Sequence, residues 1–198
     1  MTRELSAHDI AELLASPAPN AVEIAPGMYL VRVFDAVEAA GIVAAAGRSA
    51  EWRDAGINAG LEVDRTVRDA QVLFEVADPA LIARCRDRLF AATRAVASRV
   101  APQTVLAEIQ IVRYHAGGRY VEHRDSPALG ATPRALSLVC YLNDDFQGGA
   151  TAFAQPEIAI SPLSGVAVAF SPVLMHQARP VTARVKYVVT AWYHVPPH

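Results

Sequence analysis

A change of texture after Pro102 constrains this chain more than any other feature. From residue 105 to 195, short β-branched and aromatic runs alternate with Gly, Pro and Asn turns. The runs fall at 105–115, 120–122, 135–142, 151–153, 158–160, 166–170, 180–181 and 184–195. So many short strands within about ninety residues predict a β-sandwich or jelly roll. Several runs are apolar on both faces. Leu136, Leu138, Cys140 and Leu142 alternate with Val139 and Tyr141, and a sheet buried on both sides needs a cover.

The first half of the chain can supply that cover. Ser6 opens a helical pattern to about residue 15 with Ile10, Leu13 and Leu14 on one side, and Ser16-Pro-Ala-Pro-Asn breaks it. Residues 28–34 alternate as a strand, and Asp35 can cap an alanine-rich helix running to about Arg48. Two short strands are expected at 63–68 and 71–76. The strongest helix pattern spans 79–100, where Leu81, Ile82, Cys85, Leu89, Phe90, Val96 and Val100 recur at spacings of three and four. The fold expected is α+β, mainly β, in one domain over residues 1–198. Residues 1–104 form a helical and strand support region packed on one sheet, and 105–198 a jelly-roll core.

Composition removes several function classes. A net charge of −2 leaves no electrostatic footprint for nucleic acid. With 53% hydrophobic residues the chain is not mainly disordered, and no apolar run reaches the ~20 residues that span a bilayer. Met1-Thr-Arg-Glu-Leu-Ser carries no apolar h-region, so no secretory signal is expected. Cys85 and Cys140 sit in apolar patterns and read as buried free thiols, which makes the cytoplasm the expected compartment. Of 18 basic residues, 17 are arginine and one, Lys186, is lysine.

Among six histidines, His8, His115, His194 and His198 have no evident partner in the sequence and read as structural or surface. His123 differs, because in His123-Arg124-Asp125 the histidine and the carboxylate lie two apart, on one face of a strand. They can take adjacent corners of a metal's coordination sphere, and His176 offers a third from a distant strand. Alone, a His-x-Asp is weak evidence. Two histidines and a carboxylate are also the facial triad of non-haem Fe(II) oxygenases. Lys186 shares its strand face with Val188, Thr190 and Trp192 and is expected to point into the sandwich. An ammonium buried there needs an anion or loses its proton. A ligand carboxylate, a partner such as Glu108, or an escape to solvent at the sandwich edge would each answer that need.

The pattern resembles a known family. Arg113-Tyr114, Gly117-Gly118, Tyr120, His123-Arg-Asp125, Tyr141-Leu142-Asn143, Gly148-Gly149-Ala-Thr151, His176 and Lys186-Tyr187-Val-Val-Thr-Ala-Trp192-Tyr193 look like the prolyl 4-hydroxylase-like branch of the Fe(II)/2-oxoglutarate-dependent dioxygenases. The resemblance covers about residues 105 to 195. It implies a double-stranded β-helix with iron between its sheets, held by His123, Asp125 and His176. It assigns Lys186 to the distal carboxylate of 2-oxoglutarate, with Tyr141 and Thr151 beside it and Tyr114 lining the pocket. Arg134 and Trp192 match positions that contact substrate in some relatives. Arg184 falls near the site mouth, where many relatives have glycine, and Ser137 stands where threonine is common.

The activity so implied is hydroxylation of an unactivated C–H bond with release of succinate and CO2, using Fe(2+), 2-oxoglutarate and O2, with ascorbate as a candidate reductant. A prolyl residue or proline-like compound is the expected substrate. The alternatives are the same chemistry on another small molecule, such as a free amino acid or biosynthetic intermediate, or a cupin-like jelly roll that binds a metal or ligand without catalysis. A small-molecule or peptide substrate, no nucleic acid and no membrane complete the expectation, with oligomeric state left open.

Overall fold

The computed structural model describes residues 2–15, 21–57, 62–100, 103–125 and 133–196. The break expected at 16–20 and His198 lie outside the described residues. In chain order the elements are β1 (Arg3–Leu5), α1 (Ala7–Leu13), β2 (Ala21–Ala25), β3 (Met28–Arg32), α2 (Ala36–Gly47), β4 (Arg53–Asp54), β5 (Arg68–Asp69), β6 (Gln71–Leu73), α3 (Pro79–Val100), β7 (Val105–Tyr114), β8 (Arg119–His123), β9 (Arg134–Tyr141), β10 (Gln147–Gly148), β11 (Thr151–Phe153), β12 (Ile158–Ile160), β13 (Val166–Phe170), β14 (His176–Ala178), β15 (Val181–Ala183) and β16 (Lys186–His194).

Local chemistry sets the helices where the sequence pattern predicts them. Ser6 and Asp35 each accept from the backbone of the third helical residue, while Asp9 and Glu38 return the bond to the cap N–H. These reciprocal capping boxes satisfy donors that a helix start otherwise leaves open. The helix α3 buries Leu81, Ile82, Cys85, Leu89 and Val96 and turns its arginines outward.

The strands form a large sheet, in the order β2-β3-β13-β9-β16-β7-β6-β4, and a smaller one, β1-β12-β11-β14-β8-β5, with β10 and β15 as a separate pair. The large sheet is buried on both faces, and the period of two sorts its residues as expected. Leu136, Leu138, Cys140 and Leu142 pack with Val189, Ala191 and Tyr193 against residues of α2 and α3. Tyr141 and Val188 face the other way, into a second core shared with Phe153, Ile158 and Ile160 of the smaller sheet. The result is a double-stranded β-helix, mainly β, with helices covering one sheet. Cys85 and Cys140 are buried free thiols, and burial pushes the Cys85 thiol up to about 12.

The first half contributes more strand than its pattern predicts. Beside the expected β3, β2 extends the large sheet, and β1 pairs parallel to β12 on the smaller one. Of the strand expected at 63–68 only Arg68 is extended, because Asp64 builds a turn instead. Its carboxylate accepts from Thr66 N and Oγ1, and its carbonyl accepts from Val67 and Arg68. The next strand stops at Leu73 rather than residue 76. Among the described residues no helix is long and apolar enough to cross a membrane.

Candidate metal centre and cosubstrate pocket

The smaller sheet brings distant residues together. β14 runs antiparallel to β8 with His176 opposite His123, and a register shift follows. The two imidazole centroids are 4.2 Å apart. Asp125, just past β8, is fixed by its backbone N–H, which donates to Pro172 O at 2.9 Å. Its Oδ1 is 3.5 Å from His123 Nε2 and its Oδ2 is 3.7 Å from His176 Nε2. The three ligand-capable atoms lie within 4.8 Å of one another.

The backbone decides which nitrogen each histidine presents. His123 Nδ1 is 2.8 Å from Val121 O, and His176 Nδ1 is 3.0 Å from Leu174 O. A carbonyl can only accept, so each Nδ1 carries the proton and each Nε2 keeps a lone pair turned to Asp125. Burial lowers the pKa of His176 and outweighs the pull of Asp125, which favours the neutral, ligating form. Burial acts to raise the Asp125 carboxyl. A proton on His123 or His176 would overcome that through a hydrogen bond and through charge and hold the carboxyl well below the usual carboxylate range, and the bond from Trp192 lowers it whichever form the imidazoles take. Two neutral imidazoles and one carboxylate are a donor set that suits Fe(II).

A second polar site lies in the same interior. Lys186 opens β16 opposite Tyr114 and is 1% exposed. Its Nζ donates to Gly149 O at 2.6 Å and lies 5.1 Å and 5.2 Å from the ring centroids of Tyr114 and Tyr141. All 20 acidic residues are among those described, and none pairs with it. Glu108, the partner weighed from sequence, is engaged by Arg134 and by His194, the latter at 2.8 Å. Burial alone lowers the Lys186 ammonium from its ordinary 10.5 to about 7. The Tyr141 hydroxyl is 2.6 Å from Thr151 Oγ1 and donates to Ile160 O. Along β11, Thr151 lies two residues from Phe153, which faces His176 across the ladder. The triad and the ammonium are thus joined by one strand face.

Three residues hold this arrangement without having drawn a role from the sequence. Asn143 Nδ2 donates to Val185 O at 2.8 Å, and its Oδ1 accepts from Tyr187 N at 2.7 Å. It therefore clamps the backbone on both sides of Lys186. Its place in the Tyr141-Leu142-Asn143 run was the available signal. Gly149 (φ +66°) leaves room for the lysine stem. A Cβ there would lie 2.8 Å from Phe146 Cε2 and 3.1 Å from Lys186 Cδ. Gly149→Ala is expected to cost about 1–3 kcal/mol of stability in urea unfolding and to raise the 2-oxoglutarate requirement. A variant unchanged in both would show that the lysine stem does not depend on this gap. The third, Arg68, lies over the Tyr120 ring at 4.9 Å.

The remaining expected contacts are also placed. Trp192 Nε1 donates to Asp125 Oδ2 at 2.9 Å. Arg134 stacks over the Trp192 ring at 4.2 Å and donates to Asp125 O. Arg184 is exposed, bonded to Asp145, and has a φ of 64°. That left-handed backbone favours glycine, and arginine adopts it here. His194, without an evident partner in the sequence, is buried against Glu108, and His8 lies 3.4 Å from Glu12.

Comparison with known proteins agrees with this geometry. Residues 109–194, which carry the triad and Lys186, match the 2OG-Fe(II) oxygenase superfamily. The chain carries a 2OG-Fe(II) oxygenase domain. A putative prolyl 4-hydroxylase of Acanthamoeba polyphaga mimivirus is 27% identical over 106 residues, covering 43% of this chain and 44% of that relative. The match thus spans less than half the length of the relative. A Trichoplax adhaerens prolyl hydroxylase, solved with a hypoxia inducible factor peptide fragment, has a TM-score of 0.70 at 18% identity, covering 96% of this chain and 89% of that one. A Pseudomonas putida prolyl-4-hydroxylase has a TM-score of 0.64 at 22% identity, covering 96% and 100%. These relatives are prolyl hydroxylases, and the cofactors of the matched superfamily are Fe(II), 2-oxoglutarate and O2.

Proposed function

We propose that this protein is an Fe(II)- and 2-oxoglutarate-dependent dioxygenase that hydroxylates an unactivated C–H bond, releasing succinate and CO2, with a prolyl residue or proline-like compound as substrate. The observation that carries the reading is the pairing, within one interior, of a His-Asp-His cluster and a buried ammonium without a carboxylate. His123, Asp125 and His176 would hold the iron. Lys186 would bind the far carboxylate of 2-oxoglutarate, with Tyr141 and Thr151 supplying hydroxyls beside it and Tyr114 closing the pocket over it. When bound, iron and 2-oxoglutarate supply the oxidising power that activates O2 toward a C–H bond. The chain's own residues orient those groups and keep water from them. Tyr114, Tyr141 and Thr151 are all buried, so the cosubstrate's charge would meet fixed donors rather than solvent.

The prolyl substrate is supported by the names of the relatives matched in sequence and fold. The peptide bound in the Trichoplax structure supports a peptide over a free compound. The test is succinate release from 2-oxoglutarate in air, with and without Fe(II), with prolyl peptides beside free amino acids. Iron-dependent succinate that rises with a prolyl compound is expected. Stimulation by a free non-prolyl acid would move the substrate to the small-molecule class, and no succinate under any condition would leave a ligand-binding jelly roll.

A further inference from the structure

Arg68, a cation beside the metal cluster, has no anionic partner among the described residues. Arg68 lies on β5, directly opposite Tyr120 of β8. Its guanidinium covers the Tyr120 ring, and that ring stacks on His123 at 3.5 Å between centroids and 16° between planes. The Arg68 guanidinium also acts, by its charge and by a side-chain hydrogen bond, on the buried Tyr114 hydroxyl, whose ring covers Lys186. Arg68 therefore stands beside both halves of the site.

Three other arginines near this region have partners. Arg134 pairs with Glu108 and Arg65 with Asp54, while Arg113 donates to Gln71. Arg68 Nη1 donates to Gly56 O at 2.9 Å, which anchors one side of the fork. Its Nε is buried and has no hydrogen-bond partner among the described residues. Every Asp and Glu of the chain lies within those residues, and none forms an ion pair with Arg68. A guanidinium anchored through Nη1, with a buried Nε that has no partner, keeps a donor for a planar carboxylate.

We propose that Arg68 binds a carboxylate on the primary substrate, so that the protein acts on an acidic compound: a free amino or imino acid, or a peptide with an acidic residue near the reacting one. The inference rests on the oxygenase reading above and deepens it. The stack Arg68–Tyr120–His123 fixes the distance between that carboxylate and the metal cluster, so it selects which carbon faces the cluster as well as which compounds enter.

The test uses matched probes that differ only in the carboxylate: L-proline against L-prolinamide, and a blocked prolyl tripeptide ending in glutamate against its glutamine counterpart, amidated. With Fe(II) and 2-oxoglutarate saturating, the acid of at least one pair is expected to exceed its amide in kcat/KM for succinate release by about tenfold or more. The pair that responds identifies the source of the carboxylate. Arg68→Gln should abolish that preference, lowering the acid about tenfold and the amide less than about twofold. A purely structural Arg68 would affect acid and amide alike. If Arg68→Gln does not fold, Arg68→Lys carries the test, since it keeps charge and stem but not the fork, and should reduce the preference. Equal use of acid and amide, stimulation by neither acid, or an unchanged preference in the folded variant overturns the proposal. A wild type that forms substrate-free succinate while ignoring both acids overturns the Arg68 proposal alone. One that forms no succinate overturns the oxygenase reading as well.

Discussion

Asp125→Ala is expected to reduce iron-dependent succinate release by more than about a hundredfold. Removing a group that merely supports a metal ligand costs about 10–100-fold, and Asp125 is the cluster's sole anionic member. Its oxygens sit 3.5 Å and 3.7 Å from the two imidazole Nε2 atoms, so its loss leaves two neutral donors on neighbouring strands. The loss should appear first as weaker Fe(II) binding, measured by titration under anaerobic conditions, and the His123→Ala and His176→Ala variants should follow it. The backbone bond from Asp125 N to Pro172 O does not depend on the side chain, so the variant should keep its far-UV circular dichroism. A folded Asp125→Ala protein with wild-type turnover would reject the cluster as the metal centre. Trp192 sharpens the geometry, because its bond to Oδ2 leaves Oδ1 the freer oxygen. That oxygen would be the one presented to the metal.

Residues whose role follows from local periodicity or from chemistry were legible in the sequence. The face assignment of Tyr141 against Leu138 and Cys140 follows from a period of two, and the structure sorts them that way. The caps at Ser6 and Asp35 are encoded within four residues. His123 and Asp125 share a strand face by their spacing, which alone is weak evidence, and the structure brings His176 beside them. What was not legible depends on pairings between distant segments. β14 carries His176, Gln177 and Ala178, without a β-branched residue, and is a strand because β8 and β11 flank it. The strand expected at 63–68 yielded to a turn organised by one carboxylate, Asp64. Asn143 clamps Val185 and Tyr187 from more than forty residues away. Arg68 stands beside the site through a two-residue ladder, too short to leave a periodic trace.

Lys186→Met is expected to raise the 2-oxoglutarate requirement by about 10–100-fold and, without 2-oxoglutarate, to stabilise the protein near neutral pH. The two effects have one cause. In the ligand-free fold the ammonium is 1% exposed and has a single hydrogen-bond acceptor, Gly149 O. An ion taken from water without a counter-ion costs several kcal/mol, and methionine fills similar volume without that charge. The Gly149 carbonyl left open would return about 1–3 kcal/mol of the gain. The pH dependence follows from the ammonium's shift from 10.5 to about 7. Between those values the unfolded chain holds a proton that the folded chain has released, so wild-type stability rises with pH across that window. The advantage of Lys186→Met should be full below about 7 and vanish toward 10.5. Adding 2-oxoglutarate with Fe(II) should reverse the order at neutral pH, since on the proposed reading its distal carboxylate would pair with the wild-type ammonium through charge-assisted bonds worth about 1.5–3 kcal/mol and would find no charge in the variant. Urea unfolding at pH 6.5 and pH 9.5, with and without 2-oxoglutarate, measures all four states. An unchanged 2-oxoglutarate requirement, or a variant no more stable than wild type at pH 6.5, would mean that the chain's single lysine is not held in wait for that carboxylate.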